Sequence, residues 1–76
     1  MLKLIVITVT VEEVKGKAPL FVATARFMFD VVARSTGTKW HLAAEGTAYN
    51  VRQQMAGEKF KIRYEIDPEV NKYLGM

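Results

Sequence analysis

The stretch LFVATARFMFDVVAR, residues 20–34, decides how this chain folds, because two incompatible windings fit it. Wound as a helix, it places Arg26, Asp30 and Arg34 at i, i+4 and i+8, a charged ladder along one face. Leu20, Phe21, Met28, Val31 and Val32 gather on the opposite face. Extended, it alternates: every odd position from Phe21 to Ala33 is apolar, and the even positions carry Thr24, Arg26, Asp30 and Arg34. Pro19 near a first helical turn and Gly37 past the last favour the helix. The missing N-cap residue and the abundance of Phe and Val favour the strand, although a strand of this length exceeds the common roughly 5 to 6 residues.

Outward from this stretch, the elements are easier to read. Leu2–Val14 is rich in β-branched residues, with Ile5, Ile7, Val9 and Val11 on one side and Leu4, Val6, Thr8, Thr10 and Glu12 on the other. It reads as a strand whose first half is apolar on both faces. Lys15–Pro19 (KGKAP) and Ser35–Thr38 (STGT) read as turns. From Lys39 to Val51, Trp40, Leu42, Ala44, Gly46 and Ala48 alternate with more polar residues, which favours a strand. The alternative is a short helix over Ala48–Ala56, capped by Thr47 and stopped by Gly57. In Glu58–Ile66, Phe60, Ile62, Tyr64 and Ile66 alternate strictly with Lys59, Lys61, Arg63 and Glu65, a strand ended by Asp67-Pro68. Glu69–Leu74 is expected to form one helical turn against the core.

A domain needs two packed layers, and a four-stranded meander supplies only one. The expected fold is therefore α+β, a three-stranded antiparallel sheet packed on one helix in the order β-α-β-β. The alternative is an all-β four-stranded meander.

The 76 residues read as a single domain, residues 1–76, of a size that buries roughly 60% of its unfolded surface. With no cysteine, disulfides and thiolate metal sites are excluded. Hydrophobic residues make up 50% of the chain, enough for a folded core rather than disorder. The apolar run Leu2–Val11 is too short to span a bilayer and is interrupted by Lys3, Thr8 and Thr10. The expectation is a cytoplasmic protein without a membrane partner.

Gln53-Gln54-Met55-Ala56-Gly57, followed by Phe60 and Ile62, resembles the first binding loop of the cystatin superfamily, usually Gln-Val-Val-Ala-Gly. Ala25-Arg26-Phe27 is similar to the helix signature of plant cystatins. The resemblance implies a helix over the earlier segment and a loop joining two antiparallel strands over the later one. It also implies that Gln53, Met55, Ala56 and Gly57 form a protein-binding loop entering the cleft of a papain-like cysteine protease.

Chemistry is sparse. His41 is the only histidine and has no cysteine or second imidazole to share a metal. Glu12 and Glu13 are adjacent near a strand end, so their side chains point apart. Ser35 is the only serine, and the glycines are too scattered for a phosphate loop. The sequence thus points away from an enzyme, with no catalytic residue, no metal site and no cofactor. Net charge is +3, and Lys59, Lys61 and Arg63 project from one face of the last strand, so a basic nucleic-acid-binding domain is an alternative. The leading expectation is a small protein-interaction or assembly module, a homo-oligomer through its sheet. Leu4 and Val6 are its contact residues, because one helix can cover only one face of the first strand.

Overall fold

A computed structural model describes residues 2–74. The elements run β1 (Lys3–Glu12), β2 (Leu20–Phe27), β3 (Asp30–Gly37), α1 (Trp40–Gln54), β4 (Phe60–Ile66) and a 3-10 turn, Pro68–Tyr73. The fold is α+β, but the sheet has four strands in the order β3-β2-β1-β4. β1 pairs antiparallel with β2 and parallel with β4, and β2 pairs antiparallel with β3. The expected three-stranded antiparallel sheet and the β-α-β-β order are both corrected, and the all-β meander fails on α1.

The decisive stretch is neither one helix nor one long strand. It folds back on itself at Met28-Phe29, pairing Phe27 with Asp30. Met28 adopts φ 57, the positive value that a two-residue hairpin loop demands. A register shift between Ala25 and Arg26 follows: Ala25 pairs with Ala33 and Arg26 with Val31. Val32 is the extra residue of this bulge and packs against the core, while Val31 is turned to the other side of the sheet beside Arg26.

Helix α1 lies where a strand was expected. Trp40, Ala43, Ala44, Thr47, Ala48, Val51 and Met55 recur at helical spacing and pack against or within the core. Three of these are alanine, the strongest helix former, so propensity and packing agree. Small residues let α1 lie close on the sheet: a Cβ at Gly46 would stand 2.7 Å from Ser35 Oγ of β3. Buried Thr47 donates its hydroxyl to the Ala23 carbonyl at 3.0 Å, tying α1 to central strand β2. The helix closes with the Met55 amide bonded to the Val51 carbonyl, and Gly57 at φ 88 turns the chain toward β4.

Two strands and the final turn follow the sequence reading. β1 and β4 keep the predicted alternation, within the boundaries Lys3–Glu12 and Phe60–Ile66. The helical turn spans Pro68–Tyr73, with Asp67 accepting from the Glu69 amide at 3.0 Å and Val70 fully buried. The STGT turn moves: β3 runs through Gly37, and the bend before α1 falls on Thr38 and Lys39.

The core lies between α1 and one sheet face, with Ile5, Ile7 and Val9 of β1 at its centre, all fully buried. Phe21, Ala23 and Ala25 of β2 and Ala33 of β3 complete it. The radius of gyration is 13.0 Å against about 11 Å expected for this length, so the molecule is elongated.

Candidate interaction face

Strand alternation puts the other half of each β residue set on the side of the sheet that α1 does not cover. The pairing registers order these residues in rows across the four strands. One row reads Arg63, Val6, Arg26, Val31; the next reads Glu65, Thr8, Thr24, Arg34. A third reads Thr10, Val22, Thr36. Ahead of them Lys61 pairs with Leu4, and Met28 follows one residue past the Ile5–Phe27 pair.

The two central strands give the face Leu4, Val6 and threonines with Arg26 among them, and the flanking strands add Lys61, Arg63 and Glu65 on one side and Val31 and Arg34 on the other. Leu4 is 46% exposed and Val31 56% exposed, large apolar surface for a chain of this size. Val22 is the exception, buried between Thr10 and Thr36. Two adjoining depressions mark the surface. A groove of about 750 Å³ is lined by Leu2, Leu4, Val6, Phe27 and Met28, with Lys3, Thr8, Arg26 and Glu65. A shallower one of about 320 Å³ lies over Thr10, Val22, Thr24, Val31 and Arg34 and shares Thr8 and Arg26 with the first. At the end of the face, the hairpin tip projects with Met28 76% and Phe29 95% exposed.

The expected contact residues Leu4 and Val6 both lie on this face, as do Lys61 and Arg63. Lys59 is exposed but precedes β4, and its carbonyl accepts from the Lys3 amide. Arg63 is bonded to Glu65, two residues along the same face, which ties down one of the cations. The sequence reading missed Arg26 and Arg34, which reach the same face once β2 and β3 form a hairpin. It also missed the hairpin tip itself.

The Gln53–Gly57 segment lies elsewhere and differs from its expected setting. Gln53 and Gln54 close α1 as exposed helical residues, and the segment joins a helix to a strand rather than two antiparallel strands. Met55 is buried in the core, so it is not an accessible contact residue. Ala56 and Gly57 are exposed in the turn. Ala25-Arg26-Phe27 lies on β2, not on a helix, because its alternate residues serve opposite faces of the sheet.

Titratable groups are arranged as surface clasps. The Tyr73 hydroxyl donates to Glu13 Oε1 at 2.6 Å and Lys72 Nζ to the same oxygen at 3.3 Å. The Tyr73 bond, then Lys72, holds the Glu13 carboxyl below the usual carboxylate value; the same bond raises the Tyr73 phenol above its ordinary value. Lys3 pairs with Glu58 and lies 5.3 Å from the Phe27 ring centroid, fastening the start of β1 to its surroundings. His41 packs edge-on against Trp40 with ring centroids 5.8 Å apart, adjacent rather than on opposite sides as a strand would have them. Among the described residues, no group of three or more His, Cys, Asp or Glu could hold a metal. No buried polar side-chain atom among them lacks a hydrogen-bond partner. No helix among them is long and apolar enough to cross a membrane.

Comparison with family models, with curated proteins and with solved structures finds no match. The functional reading therefore rests on the face and its chemistry.

Proposed function

We propose that the protein is a small non-catalytic interaction module that assembles through the sheet face α1 leaves uncovered. The observation that carries this reading is the surplus of apolar surface on that face: Leu4, Val6 and Val31 in rows framed by charge, with Met28 and Phe29 exposed beside them. A sheet normally buries one face against a second layer, and contiguous exposed apolar patches of this kind mark interaction sites. Partial burial of two branched side chains per subunit contributes on the order of 3 kcal/mol before association costs.

A second reading draws on the four cations of the same face, Arg26, Arg34, Lys61 and Arg63. They make a sheet surface suited to a nucleic-acid backbone, although the face has no ring among its rows on which a base could stack. Val6→Lys separates the two. It buries a charge in an assembly but adds a cation to a nucleic-acid surface. Sedimentation should show Val6→Lys shifted to the monomer, while Tyr49→Lys, on the exposed side of α1, sediments as the unmodified chain. Tighter, salt-sensitive binding of duplex DNA by Val6→Lys, with no self-association in the unmodified chain, would replace the first reading by the second.

A further inference from the structure

The uncovered face is complementary to itself under one particular symmetry operation, and this names its occupant. Resting on the assembly reading above, we infer that a second copy docks face to face about a two-fold axis parallel to the strands, between β1 and β2. Such an axis keeps each residue at its own height along the strands. It exchanges the β4 flank of one copy with the β3 flank of the other, and β1 with β2.

The rows then fall into register. In the row Glu65, Thr8, Thr24, Arg34, the Glu65 carboxylate meets Arg34 of the second copy, and Thr8 meets its Thr24. In the row Arg63, Val6, Arg26, Val31, the Val6 side chain meets the aliphatic stem of Arg26, and Arg63 lies over Val31. At the tip end, Leu4 meets Met28, and Lys61 meets the exposed ring of Phe29, a cation over an aromatic face. The groove lined by Leu2, Leu4 and Val6 thereby receives the other copy's hairpin tip. No row sets like charges opposite each other. An axis running across the strands between Lys61 and Arg63 instead stacks each strand on its own copy and brings these two cations of one β4 against the same pair of the other. Like-charge juxtaposition of that kind disfavours the arrangement. Two sheets packed this way keep their strands aligned to within about 30° of twist, the common geometry of a sheet sandwich.

Cysteine cross-linking tests the arrangement. Facing sheets stand about 10 Å apart, beyond direct disulfide reach but within that of a short bis-maleimide. Arg34→Cys mixed with Glu65→Cys should be joined by that reagent into a covalent dimer, and neither variant alone should be. A covalent dimer from Glu65→Cys alone or from Arg63→Cys alone overturns the inference. So does a mixture that stays uncoupled while light scattering reports a dimer of the unmodified chain; the assembly reading then survives without this geometry. A chain that is monomeric throughout overturns both. Charge reversal gives a second readout: Arg34→Glu should weaken dimerisation by about tenfold, and adding Glu65→Arg should restore it. Restoration failing in the doubly reversed chain contradicts the pairing.

Discussion

Among the described residues, Met28 is the one non-glycine residue with a positive φ. Its φ of 57 lies in the left-handed region, where an L side chain costs roughly 1–2 kcal/mol and where glycine, asparagine or aspartate is the usual hairpin residue. The side chain recovers little of this by burial, since it is 76% exposed, and its neighbour Phe29 is 95% exposed. Strain and exposure together are explained if the tip is buried by another molecule. Met28→Gly should therefore stabilise the isolated chain by about 1 kcal/mol while weakening its association. Urea unfolding at high dilution reads the first effect and sedimentation at high concentration the second. Unchanged association would separate the tip from the assembly surface. The same residue explains why the hairpin was hidden from the sequence. Residues 20–34 contain no glycine, proline or asparagine, and Asp30 lies after the turn rather than in it, so nothing marks the reversal at 28–29.

At the scale of elements, β1 organises the chain, because it pairs on both edges and gives the core its three largest fully buried strand residues, Ile5, Ile7 and Val9. Its alternation, and that of β4, was legible in the sequence because β-branched and aromatic residues keep strict period two there. The helix was not. Trp40, Leu42, Ala44, Gly46 and Ala48 alternate by coincidence, and alanine and glycine suit the close face of a helix as well as a sheet. The discriminating signal was the run of positions 40, 43, 44, 47, 48, 51 and 55. For the face, the apolar surplus of Leu4 and Val6 could be read from β1 alone; Arg26 and Arg34 could not, since their side of the sheet depends on the hidden hairpin and its bulge.

The final 3-10 turn is clasped to the end of β1 by Tyr73 and Lys72 on Glu13. Glu13 has its carboxyl lowered, so its contribution is present above the usual carboxylate value and lost as pH falls through the lowered one. Tyr73 has its phenol raised, so its contribution is present below the ordinary phenol value and lost as pH rises through the raised one. Tyr73→Phe should accordingly lower Tm most in the neutral range, with the difference from the unmodified chain shrinking at acid and alkaline extremes. A difference independent of pH would mean that the ring's packing edge-on against Phe21, 5.4 Å between centroids, is all the residue contributes.

Among the described residues, the molecule is one sheet with a helix on one side and no second layer on the other. Its thin core, built largely from alanine and β-branched residues, leaves a second, partly apolar face in water, and under the proposed assembly a second copy would supply the missing layer. Static light scattering of the unmodified chain at about 100 µM, where dimers with Kd values up to tens of micromolar are well populated, tests this most directly. The mass should be about twice the 8.6 kDa of one chain and fall toward 8.6 kDa on dilution. A mass that stays at 8.6 kDa at the highest concentration would contradict this assembly.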